Sequence, residues 1–449
     1  MSGIANRFFW SWDHSTNWCL HTLGAQNCGV NNAYAKPSES FFNDYKRVVD
    51  FCSEHKIGAV GIVGLLRDKH GGVSEARRLC DYANNHGVKI YIIAGLYAYG
   101  GIYYEGEHKY SLNRFFREHP ETVGVDAAGN PLFVEFKGKY GYRFEPQGCP
   151  TSPLLNEFML ESLDWIFKEI PELGGIQMES GDSGVCQCKR CRARRAGEET
   201  QISVADMAGI YPAATDVVLS RSPNALIICE TYHHFLDDAC KFFDSGIDSP
   251  DLKKLLAMPK SVFWQWKCDV RLRDGDWTED DKMLSSMRGF NHVMRAHSGT
   301  QWWGGRATFA VDKIRRQCNL SYHSGLNGVS IFGENSIFHT NAEFNYLAME
   351  YFADYPCASN ADFIADIMAP RLGGQSNAEF YYEIAGLNED VDKIPAAVAK
   401  IPKITMGITD YDQLRRWQYI ASYLNGYYFE AKASECRSVF KDSDKIGDL

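Results

Sequence analysis

The sequence predicts an α/β fold: a (β/α)8 barrel with enlarged βα loops and a helical C-terminal extension. Three observations carry this. Short apolar, β-branched runs alternate with longer amphipathic segments, which is the pattern of βα units around a parallel sheet. Eight such runs occur within the first 356 residues, and several are entered by a glycine that ends the preceding helix, as in His86-Gly-Val-Lys-Ile-Tyr-Ile-Ile. No G-x-G-x-x-G follows the first run, which argues against an open dinucleotide-binding sheet.

The strands are expected at Arg7 to Trp12, Ile57 to Val63, Val88 to Leu96, Gly175 to Glu179, Ala225 to Glu230, Val262 to Trp266, His297 to Trp303 and Gly328 to Glu334. Apolar residues three and four apart predict helices at Phe41 to Glu54, Ser74 to Asn85, Leu154 to Ile170, Val204 to Leu219, Asp280 to Val293 and Val311 to Ser324. After Cys357 the strand signal ends. The expected division is a barrel over 1–356 and a helical extension over 357–449, broken near Gly373-Gly374 and Pro402.

With 45% hydrophobic and 23% charged residues, the 449-residue chain has ordinary globular composition. Its formal charge of −10, with lysine and arginine scattered along the chain, argues against nucleic acid or an anionic membrane as partner. The first residues lack a signal-peptide pattern, and no apolar run approaches the roughly 18 residues of a membrane span. Fourteen irregularly spaced cysteines do not form a disulfide scaffold. A cytoplasmic, reducing location and a small-molecule or glycan partner are the expectation, with a homo-oligomer left open.

In such barrels the site lies at the C-terminal ends of the strands. Reading past each run gives Trp12, Asp13 and His14 after the first, Arg67 and Asp68 after the second, and His108 after the third. The later runs give Glu179, Glu230 and Trp266, then Trp302, Trp303 and Arg306, then Glu334 and Asn335. Carboxylates, aromatics and cations on one rim are what a sugar site needs: C–H faces stack on rings, hydroxyls take bidentate hydrogen bonds, and carboxyl groups do acid and base work. For any single tryptophan, packing is the default reading. Seven of the ten, however, lie at the ends of runs one, six and seven, which favours a stacking platform.

Cys186, Cys188 and Cys191 have C-x-C-x-x-C spacing just after Glu179. Cys149, in Gly148-Cys-Pro-Thr-Ser-Pro153, lies on the segment leading into the fourth run and is the expected fourth ligand of a structural zinc. Four thiolates leave no open position, so such a zinc would stiffen the loop beside Glu179 without doing chemistry. No organic cofactor is expected.

The Cys-Pro-x-Ser-Pro segment, the strand-four glutamate and the C-x-C-x-x-C loop resemble the zinc-bearing loop of the glycoside hydrolase family 42 β-galactosidases. The resemblance implies Glu179 as general acid/base and the four cysteines as zinc ligands. The chain departs from that family in having Met178 where the family has asparagine, and in lacking a carboxylate in the run His297 to Trp303, where the family carries its nucleophile. Asp13, Glu334 and Glu230 are the candidate partners of Glu179, and a pair across the barrel mouth implies inverting geometry. A strand-one Asp working with a His also resembles, at Asp13 alone, the inverting exo-sialidases of family 156.

The expected function is an exo-acting glycoside hydrolase releasing a terminal sugar. The alternatives are an inverting exo-glycosidase for an acidic sugar, using Asp13 with a His, and a non-catalytic carbohydrate-binding barrel. A metal-dependent hydrolase ranks last, because adjacent Asp13 and His14 do not readily face one ion.

Overall fold

The computed structural model describes residues 3–13, 15–19, 36–138, 141–179, 185–195, 204–231, 250–267, 289–297, 308–387 and 390–442. Its centre is a closed barrel of eight parallel strands. In chain order these are β1 (Asn6–Trp12), β2 (Ala59–Val63), β3 (Lys89–Gly95), β6 (Gly175–Glu179), β7 (Leu226–Glu230), β8 (Phe263–Lys267), β9 (Asn291–Arg295) and β10 (Gly328–Phe332), and β10 closes on β1. Between β3 and β6 an antiparallel pair is inserted, β4 (Phe133–Gly138) with β5 (Gly141–Pro146).

Helices α1 (Ser38–Glu54), α2 (Gly72–Asn85), α4 (Pro153–Glu169) and α6 (Val204–Arg221) lie within two or three residues of their sequence expectations, as does the helix Val311–His323. Short helices α3 (Leu112–Glu118) and α5 (Lys189–Arg195) sit in the loops after β3 and β6. The Ser152 hydroxyl caps α4 by accepting from Leu155 N, and Pro153 takes the first helical position, where a missing N–H costs nothing.

One strand departs from expectation. The seventh barrel strand is Asn291–Arg295, not His297 to Trp303, and it overlaps the end of the helix expected over Asp280 to Val293. Gly289, at φ +97°, precedes it. Val293 and Arg295 alternate inward while His292 and Met294 turn outward, so pairing with β8 and β10 overrides the helical spacing. The inserted β4–β5 pair was also not anticipated.

Side chains one apart on a strand face opposite sides, and register carries one face around the whole barrel. The pairs Trp10↔Gly61, Gly61↔Tyr91, Tyr91↔Gly175, Ile228↔Phe263 and Trp10↔Phe332 belong to that face. Its residues form one buried cluster: Phe8, Trp10, Trp12, Ala59, Val63, Tyr91, Ile93, Ile228, Phe263, Val293 and Phe332, with Tyr99 and Tyr104 from the loop after β3. Gly61 lets the large Tyr91 ring into this layer. A Cβ at Gly61 would fall 2.3 Å from the Tyr91 ring.

The chain falls into two compact units, 1–297 with 316–335, and 298–315 with 336–449. In the second, Trp417 packs edge-on against Tyr381 at 5.3 Å and donates to Leu372 O at 3.2 Å. Arg416 forks onto Glu343 at 2.7 and 2.8 Å. Gly373 and Gly374, both at positive φ, separate the helices Ala369–Leu372 and Gln375–Ala385. Among the described residues no helix is long and apolar enough to cross a membrane.

Substituting Gly61→Ala drives a methyl group into a ring that is itself fully buried. The expected loss is about 1–3 kcal/mol, read as a lower urea midpoint with an unchanged slope; an unaltered midpoint would show that Tyr91 does not fill that layer.

Candidate active site

Inward alternation puts Gln177 and Glu179 of β6, Glu230 of β7, Gln265 of β8 and Arg295 of β9 on the barrel's inner face, with Trp12 at the end of β1. All are buried. Gln177 Nε2 donates to Glu179 Oε1 at 2.8 Å, and Gln265 Nε2 donates to Glu230 Oε2. The Arg295 guanidinium lies 3.6 Å from the same Glu230 oxygen, so a negative charge there has a counter-ion. Each carboxylate thus has a glutamine amide holding one oxygen. The β6–β7 ladder pairs Met178 with Cys229, which leaves Glu179 and Glu230 as the next residues on neighbouring strands.

The aromatic wall stands beside them. Trp12 meets Trp10 at 5.7 Å, Tyr104 at 6.2 Å and Tyr99 at 6.3 Å, all edge-on. Trp10 packs on Phe332 at 4.5 Å and lies 5.5 Å from the Arg295 guanidinium carbon.

Asp13 has a different environment. Arg67 grips it through two contacts, Nε to Oδ2 at 2.6 Å and Nη2 to Oδ1 at 3.1 Å, with both side chains 2% exposed. The remaining Arg67 nitrogen pairs with Glu105, and the guanidinium covers the Tyr104 ring at 4.3 Å. Burial works against the Arg67 cation, but Asp13, Tyr104 and Glu105 outweigh it and push its pKa up. His70 Nε2 sits 2.9 Å from Gly64 O and 3.5 Å from Asp13 Oδ2; a carbonyl only accepts, so Nε2 carries the proton.

Glu334 is tied to β1. Its Oε1 accepts from Trp12 N and from the Ser15 hydroxyl, both at 2.8 Å, while its carbonyl accepts from Asn17 N. Asn335 bridges to Asn17 in the same connection.

The other sequence candidates are placed apart from this group. Trp266 is on the outer face of β8, fully buried, where its Nε1 donates to His292 Nδ1 at 3.1 Å; the period-two alternation that turns Gln265 inward turns Trp266 away. Asp68 accepts from the Tyr103 hydroxyl and from Glu107 N. His108 stacks on Tyr103 and meets Trp165 at a tilt, each at 4.5 Å, and burial followed by Lys109 lowers its pKa. His14, Trp302, Trp303 and Arg306 lie outside the described residues. Sequence reading missed Gln177 and Arg295. Gln177 is signalled by being two residues before Glu179, and Arg295 was hidden by the misplaced seventh strand.

Cys149, Cys186, Cys188 and Cys191 converge, with all four sulfurs within 4.8 Å of one another. Cys149 Sγ lies 3.8 Å from Cys188 Sγ and 3.6 Å from Cys191 Sγ. A tetrahedron with metal–sulfur bonds of roughly 2.3 Å has edges of about 3.8 Å. Val125 N and Cys188 N point at the Cys186 sulfur at 3.4 and 3.5 Å, and Cys191 N points at the Cys188 sulfur at 3.4 Å, an arrangement that stabilises thiolates. Hydrogen bonds with Cys186 and Cys191 push the Cys149 thiol well below its usual range. The four side chains fit a bound metal ion.

No family model and no curated protein matches the chain. Solved structures do. It is similar to a GH138 enzyme targeting pectin rhamnogalacturonan II, with a TM-score of 0.56 and 13% identity over 96% of this chain and 57% of that one. A β-N-acetylhexosaminidase aligns with a TM-score of 0.48 and 12% identity over 82% and 76% of the two chains. The GH20 exo-β-N-acetylglucosaminidase of Vibrio harveyi aligns at 0.44 and 8% over 81% and 56%. The chain thus spans little more than half the length of the pectin-targeting enzyme, and what it shares with it is the fold.

Removing Arg67 strands Asp13 in a buried site. Arg67→Met is expected to cost about 3–5 kcal/mol, and adding Asp13→Asn to recover part of it; chemical denaturation of the two single variants and the double variant measures the coupling, and additive effects would refute a direct pair.

Proposed function

We propose that this protein is a retaining, exo-acting glycoside hydrolase in which Glu179 is the general acid/base and Glu230 the nucleophile. The observation that carries the reading is the placement of these two glutamates as consecutive-register residues at the C-terminal ends of adjacent inward-facing strands. Neighbouring strands lie about 4.8 Å apart at the backbone, and side chains leaving from that spacing can bring their carboxyl groups to the roughly 5–5.5 Å that suits direct attack. This favours Glu230 over Asp13 and Glu334, which are engaged by Arg67 and by the backbone of β1 respectively, and replaces the inverting geometry expected for a pair across the mouth.

Roles follow from the partners. The nucleophile must be an anion, and Glu230 has Arg295 beside it; the acid must deliver a proton in a fixed direction, and Gln177 orients the Glu179 carboxyl group through one oxygen. Glu230 attacks the anomeric carbon as Glu179 protonates the departing glycosidic oxygen, which forms a glycosyl ester on Glu230 and releases the leaving group. Water then attacks the same carbon, Glu179 accepts its proton, and Glu230 is regenerated. Trp12, Tyr99 and Tyr104 supply ring faces for the sugar. The paired state of Arg67 counts against its serving as the carboxylate clamp of an acidic sugar.

The metal we assign to the cysteine cluster is a structural zinc, held by all four thiolates beside the Glu179 loop and taking no part in bond cleavage. The helix that follows Cys188 and contains Cys191 carries Lys189, Arg190, Arg192, Arg194 and Arg195.

Hydrolysis of a glycoside panel covering neutral hexosides, N-acetylhexosaminides, uronides and sialosides, together with pectin fragments, tests the activity. The expected product is a monosaccharide first formed with retained configuration by NMR. Glu179→Gln and Glu230→Gln should each lower kcat by at least about 1000-fold, with azide partly restoring turnover to Glu230→Ala as a glycosyl azide of inverted configuration. Full activity in either Gln variant would remove that residue from the mechanism, and glycan binding with no turnover in the wild type would leave a carbohydrate-binding barrel.

Purified protein should contain one zinc per chain by elemental analysis. Cys188→Ser should lose it and melt at a lower temperature, whereas a metal-free wild type of equal stability would exclude a structural zinc.

A further inference from the structure

The hydrogen-bond ladder between β6 and β7 runs as far as Met178↔Cys229, one residue short of the two glutamates. Directly behind that point, on the outer face, lies Tyr211 of α6, fully buried. Its hydroxyl lies 2.9 Å from Glu230 O and 3.2 Å from Met178 O, one carbonyl on each strand. A phenol has one proton, so the two carbonyls share it in a bifurcated bond. Tyr211 therefore clasps the backbones of β6 and β7 where their own pairing ends.

The same helix is anchored to the cysteine loop. Arg195 Nη1 donates to Cys186 O at 2.5 Å and its Nε donates to Asp206 Oδ2 at 2.9 Å, while Arg194 pairs with Asp206 Oδ1. Asp206 and Arg195 are both buried. Gly209 leaves room for this grip, since a Cβ there would come within 3.1 Å of the Arg194 guanidinium. Asp206 and Tyr211 are little more than one turn apart on one helix, which has Pro212 in its interior, so the loop's position passes to the two strand ends through that turn.

We propose that the Tyr211 hydroxyl is a positioning group that sets the separation of Glu179 and Glu230, and that Arg195 and Asp206 hold it in register with the cysteine loop. Tyr211 touches neither carboxylate nor substrate; it acts through the backbone that carries them. The mechanical part stands on the hydrogen bonds alone, whereas its catalytic consequence rests on the retaining-glycosidase reading.

Tyr211→Phe in the full-length protein removes only the hydroxyl. Hydrogen exchange in peptides covering 175–179 and 226–231 should accelerate, whether or not the protein turns over sugar; unchanged exchange there overturns the clasp. Asp206→Asn should accelerate exchange in the same peptides, and failure to do so overturns the link to the cysteine loop. In the active enzyme, Tyr211→Phe should lower kcat by about 10- to 100-fold with KM within about twofold. The kcat–pH bell should also change width, because the distance between the two carboxyl groups that shape it changes. Val218→Ala, which trims a buried side chain of the same helix, controls for simple destabilisation: it should melt lower yet keep kcat and the bell. Wild-type kcat and bell width in Tyr211→Phe would overturn the positioning role, whereas wild-type turnover in Glu179→Gln would instead overturn the catalytic reading.

Discussion

A strand in a closed parallel barrel presents only alternate side chains to the interior, and closure forces all eight strands to agree on which alternate set that is. Nearly everything about this site depends on that parity. It sends Trp10, Trp12, Gln177, Glu179, Glu230, Gln265 and Arg295 inward as one group, and it sends Trp264, Trp266 and His292 outward to be packed over. A one-residue slip of β6 or β7 would exchange Glu179 or Glu230 for its apolar neighbour Met178 or Cys229.

Burying charge at the end of a barrel requires compensation, and two solutions sit side by side. Asp13, Arg67 and Glu105 form an ionic group in which the cation meets a carboxylate on each side, with Lys69 also reaching Glu105. Glu179 and Glu230 are instead held by neutral amides, with Arg295 at the margin of contact with Glu230. The first arrangement is costly to break and cements β1 to the loop after β2. The second orients carboxyl oxygens through glutamine N–H donors, which is what the proposed proton-transfer roles require.

The barrel itself was legible because its strands are short β-branched runs, one of them entered directly from a glycine-terminated helix at Val88, where Gly87 has positive φ. The cysteine cluster was legible from spacing alone, since C-x-C-x-x-C places three sulfurs within one turn and leaves only the fourth to be found. What escaped was non-local. Asn291-His-Val-Met-Arg is polar at both ends and lies where helical spacing continues from Asp280, so only its two strand neighbours decide its conformation. Tyr211 and Asp206 look like ordinary helix residues in sequence, and their bonds to Glu230 O and Arg195 exist only once α6 is docked. Trp266 sits at a strand end like a rim ring, but the strand's parity turns it outward.

The distribution of tryptophans has an optical consequence. Trp264 and Trp266 are fully buried in the barrel unit, and Trp417 is fully buried in the helical one. Their indoles are shielded from water by unrelated sets of neighbours, so each emits in the blue only while its own unit is folded. Variants retaining one or the other would let the melting of the two units be followed as separate fluorescence transitions.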